Sequence, residues 1–160
     1  MINAEQSDRL LLFFENMLSF YRDFLAFERE KHGIIVSGDF AKLDKALKRE
    51  QAFTLKARGM ENDRKELLEN AGVEGGTFRE LIPQVEPSRQ EKMQKLYEDF
   101  SSTVEDIRWV NERSGRMIHL KMGRVSKVLS NLQDHPELKR IYGNNFNKKA
   151  GSASTFSRKV

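Results

Sequence analysis

The chain has 160 residues and a net charge of +4, with 38% hydrophobic and 32% charged residues. This length suits one domain, and the composition is typical of long amphipathic helices with charged outer faces. The absence of cysteine excludes a disulfide framework and Cys-based zinc sites. The polar N-terminus predicts no secretion signal, and no apolar run approaches the roughly 18 residues of a membrane span. We therefore expect a soluble, cytoplasmic protein without membrane insertion.

The positive charge is concentrated at the C-terminal end. After Glu137 the chain has six basic residues and no acidic residue, which gives +6. The preceding part holds 22 basic and 24 acidic residues, a net charge of −2. A protein body that binds nucleic acid normally has a basic stripe of its own. The basicity therefore belongs to the tail.

The first predicted helix covers about residues 4–36, where apolar side chains recur at alternating spacings of three and four. We expect this phenylalanine-rich face to form core, although eleven phenylalanines in the chain leave open that some line an exposed groove. Gly38 can close the helix in the left-handed conformation, and Asp39 can cap the next one. An αα-hairpin follows from this short turn. The stripe consists of Leu10, Phe13, Met17, Phe20, Phe24 and Phe27, widened by Phe14 and Tyr21.

A second helix over about 39–71 and a short helix over 77–83 are predicted next. Glycines after residue 71 break the second helix. Thr77 and Glu80 form a capping-box pattern for the short helix, which Pro83 stops. The apolar positions of the second helix are Phe40, Leu43, Leu47, Phe53, Ala57, Met60 and Leu67.

The longest predicted helix covers about 88–132, where Ser88 and Glu91 suggest a second capping box. At 1.5 Å per residue it is roughly 65 Å long, so part of it must overhang or bend, and Ser114-Gly115 is the expected weak point. The fold class is therefore all-α, an elongated antiparallel three-helix coiled-coil bundle over residues 1–133, with a flexible C-terminal arm over 134–160. The stripe of the long helix is Met93, Leu96, Phe100, Val104, Ile107, Val110, Met117, Ile118, Val125, Val128 and Leu132.

The sequence contains no pattern typical of catalysis. The three histidines are far apart and have no partner at metal-ligand spacing, and no nucleophile motif or phosphate-binding glycine loop occurs. Carboxylate pairs such as Glu28/Glu30 are two residues apart and so lie on different sides of a helix. We predict a protein that is not an enzyme and has no catalytic, metal or cofactor site.

Four residues of the long helix are candidates for partner binding. Trp109 lies at the edge of the apolar stripe, either packed on a neighbour or serving as a hot spot for a partner. Asn111 and Ser114 interrupt the stripe with polar groups, which set helix register or leave room for a ligand helix. Register is the favoured reading of this interruption. Ile118, on the same stripe, completes the set.

The C-terminal arm supplies the remaining candidates. Asp134 and Glu137 form a capping box for a short helix that ends at Gly143. A helix this short is marginal alone in water, so it either docks on the bundle or folds on a partner. The tail after it has the composition of a disordered segment, and residues 150–160 are equally consistent with a frayed terminus. The candidate partner-binding residues of the arm are Leu138, Ile141, Tyr142 and Phe146.

The order of these features resembles the FlgN-type flagellar export chaperones. The similarity rests on the apolar first helix, the "GD" turn in "SGDFAKLDKAL", the charged second helix, the long final helix and the segment "IYGNNF". The family tends to have Asn-x-x-Asn in the last helix; here Asn111 matches the first position and Ser114 replaces the second. The resemblance covers the chain to about residue 146.

The resemblance implies a chaperone that binds C-terminal segments of FlgK/FlgL-like hook-associated junction proteins in the cytoplasm. It would prevent their premature assembly and deliver them to the flagellar type III export platform. Two other readings stay open. The basic tail would suit a binder of nucleic acid or another anionic surface, although the acidic body makes nucleic acid the less favoured partner. The long helix would also suit pairing with a second copy, as a weak homodimer rather than a monomer.

Overall fold

A computed structural model of the protein describes residues 2–73 and 76–131. Within these ranges the chain is helical and contains no strand. The helices are α1 (Ala4–Ser37), α2 (Phe40–Asn70), α3 (Phe78–Leu81) and α4 (Pro87–Asn131), and a 3-10 turn at Ile82–Gln84 follows α3. The prediction of an all-α bundle is confirmed, and the long helices begin and end within one residue of the predicted bounds. The predicted arm, with Leu138, Ile141, Tyr142 and Phe146, lies outside the described residues, so the division at residue 133 stays a prediction.

Local hydrogen bonds explain where α1 ends and α2 begins. Gly38 has a φ of 74°, and its amide donates to the carbonyl of Ile34 at 3.2 Å. This left-handed conformation favours glycine and closes the last turn of α1. The Asp39 carboxylate then accepts a 3.1 Å hydrogen bond from the amide of Lys42. The two capping roles predicted for Gly38 and Asp39 are thus confirmed.

The end of α2 forms a Schellman motif. Gly72, with a φ of 75°, donates its amide to Glu69 O at 2.9 Å, and the amide of Val73 donates to Leu68 O at 2.9 Å. Leu68 and Val73 are both buried, as the hydrophobic contact of this motif requires. Further along, the Thr77–Glu80 capping box is present in both directions, which confirms the predicted start of α3.

Helix α4 runs without interruption from Pro87 to Asn131. It begins one residue earlier than predicted because Pro87 suits the first turn of a helix, where an amide donor is not needed. Ser88 therefore lies inside the helix and not at its cap. The expected weak point at Ser114-Gly115 is also helical, and the burial of Ser114 gives this position support from its neighbours.

The chain forms two compact units. Unit 1 consists of Met1–Glu28 and Leu55–Trp109, and unit 2 consists of Arg29–Thr54 and the residues from Val110 onward. Unit 1 contains an apolar core made by α1, α2, the loop before α3, α3 itself and α4. Its buried residues are Ile2, Leu10, Leu11, Phe14, Met17, Leu18, Leu68, Val73, Leu81, Val85, Met93 and Leu96.

Ion pairs in unit 1 show that α1 and α4 run in the same direction. Arg89 donates to Asp8 at 2.8 Å, and Arg22 donates to Asp99 at 3.5 Å, so residue numbers rise together on both helices. Helix α2 runs in the opposite direction. Its Lys56 lies 5.1 Å from the ring centre of Phe20, whereas residues 63–70 lie beside the earlier residues 9–16 of α1, so residue numbers rise on α2 as they fall on α1. This is the up-down-up order of a three-helix bundle.

Aromatic contacts fix the short helix α3 in the core of unit 1. The ring of Phe78 stacks on Phe14 at a centroid distance of 4.0 Å and meets Tyr97 edge-on at 5.5 Å. Tyr21 and Phe100 pack edge-on at 5.0 Å. Such aromatic pairs contribute about 0.5–1.5 kcal/mol each beyond the area that they bury. The single aromatic side chain of α3 is therefore its anchor.

The buried positions of α2 differ from the predicted stripe. Phe40 is 46% exposed, and the buried hydrophobic side chains of α2 are Ala46 and Leu68, one residue before and after the predicted Leu47 and Leu67. The prediction passed over residue 50, because a glutamate stands there, although the period of 3.5 requires a seam position near it. Helix α2 therefore packs through a seam that is partly charged.

No helix in the part of the chain that the structure describes is both long enough and apolar enough to cross a membrane.

Candidate functional site

Trp109 lies at the end of unit 1, on α4. It is 56% exposed, compared with 46% for Phe40, the exposed aromatic residue at the start of α2. A tryptophan at this exposure presents an apolar face together with a donor, a combination that is frequent at protein interfaces. Its predicted position at the edge of the stripe agrees with this exposure, and its role in partner binding stays a prediction.

The candidates Asn111, Ser114 and Ile118 belong to unit 2. Ser114 is 2% exposed, and its Oγ lies 3.0 Å from Nδ1 of His32 on α1. A serine that is buried and bonded in this way supports the register interpretation over direct contact with a ligand helix. Asn111 and Ile118 are half-buried, so part of each side chain reaches the surface.

A group of polar side chains crosses the interior of unit 2, and we call Lys31, His32, Glu50 and Ser114 the polar layer. The ammonium of Lys31 donates to Glu50 Oε1 at 2.7 Å, with the two side chains 5% and 14% exposed. One position before each member of this pair, at the surface, Arg49 donates to Glu30 at 3.1 Å. The polar layer thus joins α1 to α2 through an ion pair and to α4 through the His32–Ser114 contact.

Many hydrophobic side chains in the described part of unit 2 are only half-buried, and few are fully buried. The buried hydrophobic side chains of the described part of unit 2 are Ile35, Ala46 and Val110. At the far end of α1, Lys121 of α4 donates to the carbonyl of Val36 at 2.9 Å. Buried polar contacts thus join the three helices in unit 2 beside half-buried apolar side chains, whereas unit 1 has a larger, fully buried apolar core.

The sequence analysis missed the polar layer. The signal was present, because continuing the α1 heptad from Phe24 reaches residues 28 and 31, both of them charged and buried. Because the sequence analysis assigned only apolar residues to the helix interface, it did not extend the α1 stripe to these two charged positions.

Unit 1 contains an open groove between α1 and α2, which we call the α1–α2 groove. It has a volume of about 420 Å³. Each helix contributes four residues at spacings i, i+3, i+4 and i+7, so the groove is lined by one face of each helix. Its lining residues are Arg9, Leu12, Phe13 and Asn16 of α1, and Asp63, Glu66, Leu67 and Asn70 of α2.

Shifted pKa values in the described residues have structural causes. A hydrogen bond from Arg89 lowers the pKa of Asp8, and a hydrogen bond from Arg64 lowers the pKa of Glu61. Burial raises the pKa of Tyr21. The Asp8–Arg89 pair joins α1 to α4, whereas the Glu61–Arg64 pair lies within α2. Over residues 2–73 and 76–131, no group of three or more His, Asp or Glu residues is placed to hold a metal ion.

Comparisons with known proteins gave one match. The model of the family described as "FlgN protein" matches residues 1–150. Neither the curated proteins nor the solved structures contain a significant match to the chain. The family match extends beyond residue 131 and includes the predicted partner-binding positions of the arm.

Proposed function

Because the chain belongs to the FlgN family of flagellar export chaperones, we propose that it binds the C-terminal segments of hook-associated junction proteins in the cytoplasm. In this role it prevents their premature assembly and delivers them to the flagellar export platform. The chemistry is protein–protein binding without turnover.

The single observation that carries the proposal is the family match over residues 1–150. It covers the bundle and most of the predicted arm, so it includes both groups of candidate residues. The structure adds physical support, because Trp109 exposes an aromatic side chain on α4. An amphipathic segment of a client can dock on such a helix face through residues spaced three and four apart.

Calorimetry with the full-length chain and a purified C-terminal segment of a hook-associated protein tests the proposal. We expect saturable binding that is lost when residues 134–160 are deleted. Tyr142→Ala should weaken binding at least roughly tenfold if the ring is a hot spot. Phe156→Ala is the matched control, since this aromatic side chain lies beyond the residues that the family model matches.

Three outcomes are informative. Absence of binding to any hook-associated segment by the full-length chain refutes the proposal. Equal effects of Tyr142→Ala and Phe156→Ala would contradict the assignment to the arm residues. Binding that disappears steeply with added salt, and that extends to DNA, would instead favour the basic tail as a binder of anionic surfaces.

A further inference from the structure

We propose that the α1–α2 groove is a second interaction surface, which binds a basic amphipathic helix of another protein. The groove lies wholly in unit 1, and none of its lining residues is among the candidates for hook-associated clients. The inference therefore does not rest on the proposed function.

The floor of the groove is apolar and incompletely covered. Leu12 is 59% exposed, and its neighbours Phe13 and Leu67 are half-buried. These three side chains lie on two adjacent helices and form a continuous strip. Single exposed leucines are common on protein surfaces. A leucine beside two half-buried apolar side chains, however, offers a surface on which a helix of another protein can pack.

The rim of the groove is acidic. Asp63 and Glu66 are exposed on α2, and neither forms an ion pair or hydrogen bond with another described residue. The only base among the lining residues, Arg9, is paired with Glu5 at 2.7 Å. The rim thus presents two carboxylates without a compensating cation, which is complementary to lysine or arginine side chains on the partner.

The length of the groove determines the spacing of the partner's anchors. Its lining runs from i to i+7 on each helix, about 10 Å along the axis at 1.5 Å per residue. A docked helix would use two turns, with apolar residues at i, i+3 or i+4, and i+7. Asn16 is the last lining residue of α1, and Asn70 is the last lining residue of α2. Their side-chain amides can form hydrogen bonds with polar side chains of the partner.

The test uses a synthetic helical peptide of about four turns with leucines at i, i+3, i+4 and i+7 and lysines beside them. A second peptide has glutamates in place of the lysines. Fluorescence anisotropy of each labelled peptide against the full chain measures binding. We expect the lysine peptide to bind and the glutamate peptide to bind at least roughly fivefold more weakly, because like charges then oppose each other across the rim.

Two pairs of variants locate the binding. Leu12→Ser should weaken binding of the lysine peptide roughly tenfold, since the ligand would cover the exposed apolar surface of this leucine. Leu55→Ser is its control, because Leu55 is 65% exposed in the same unit and does not line the groove. Asp63→Asn/Glu66→Gln should weaken binding roughly fivefold, while Glu105→Gln/Asp106→Asn removes the same charge from α4 and should leave it unchanged.

The proposal is overturned if the lysine peptide does not bind, or if Leu12→Ser and Leu55→Ser have equal effects. It is also overturned if light scattering shows self-association of the chain that Leu12→Ser abolishes, because the occupant would then be a second copy. All six altered positions are exposed, so circular dichroism should show unchanged unfolding temperatures, and binding losses report on the groove. Client binding in calorimetry is measured separately and can persist when this proposal fails.

Discussion

The buried ion pair of the polar layer makes the sharpest prediction. Lys31 and Glu50 are 2.7 Å apart, and their side chains are 5% and 14% exposed. At an effective dielectric constant of about 20, the Coulomb attraction at this distance is about 6 kcal/mol. Much of it is offset by the cost of removing both charges from water. Removing one partner of a buried pair leaves the other charge uncompensated and costs about 3–5 kcal/mol. Since Glu50 keeps some solvent contact, we expect Lys31→Met to cost about 3 kcal/mol.

The chain contains a matched control for this substitution. Arg49 and Glu30 join the same two helices one position away, with the same separation of 19 residues, but their side chains are 56% and 53% exposed. Arg49→Met should therefore cost less than about 1 kcal/mol. Replacement of both charges, in Lys31→Met/Glu50→Leu, should recover part of the lost stability, because the Glu50 carboxylate is then no longer left without its ammonium partner.

Urea unfolding followed by circular dichroism measures all three variants. The reasoning is refuted if Lys31→Met costs no more than Arg49→Met. It is also refuted if the double variant is as unstable as the single one, because the loss would then not come from leaving the Glu50 carboxylate without its partner. Hydrogen exchange locates the effect, and we expect faster exchange mainly in residues 29–54.

Four further variants test other features. The hydrogen bond from Arg64 lowers the pKa of Glu61 below its ordinary 4.5. The stability that this bond contributes is therefore present above that ordinary value and is lost as the pH falls through the lowered pKa. Glu61→Gln should make the acid-induced loss of stability shallower, and an unchanged stability profile would contradict this. Ser114→Ala removes a buried hydroxyl from the polar layer and should cost about 1 kcal/mol in urea unfolding, whereas no loss would rule out a stabilising bond. Gly38→Ala should cost about 1 kcal/mol because its φ is 74°. Gly33→Ala, inside α1 with open space around it, should instead stabilise by about 0.5–1 kcal/mol, and equal effects at the two glycines would contradict the left-handed turn.

Local signals predicted the helix ends well. Gly38, Asp39 and Thr77 act through hydrogen bonds to residues three or four positions away, so their roles are visible in a short stretch of sequence. The apolar stripe of α1 was equally readable, because its phenylalanines recur at a regular period. Helix α2 was harder to interpret, since its seam includes Glu50, whose partner on α1 is required to explain its burial.

The candidate sites were harder to predict from the sequence than the helix ends, because they depend on contacts between residues far apart in the chain. The α1–α2 groove depends on which faces of two helices remain uncovered, and Leu12 lies outside the predicted α1 stripe. Ser114 was recognised as a polar interruption, but its contact with His32 joins residues 82 positions apart. Pairing across such distances is decided by packing, and a single sequence does not display it.

The parallel arrangement of α1 and α4 has a consequence during synthesis of the protein. Arg22 and Asp99 are 77 residues apart, and the core side chains of α1 in unit 1 pack with α4 residues such as Met93. At ribosomal rates of about 5–20 residues per second, roughly 4–15 s pass between the synthesis of Arg22 and that of Asp99. Throughout this interval, the part of the phenylalanine-rich face of α1 that packs against α4 is exposed to solvent. A truncated product that ends before α4 should therefore expose this apolar face and aggregate.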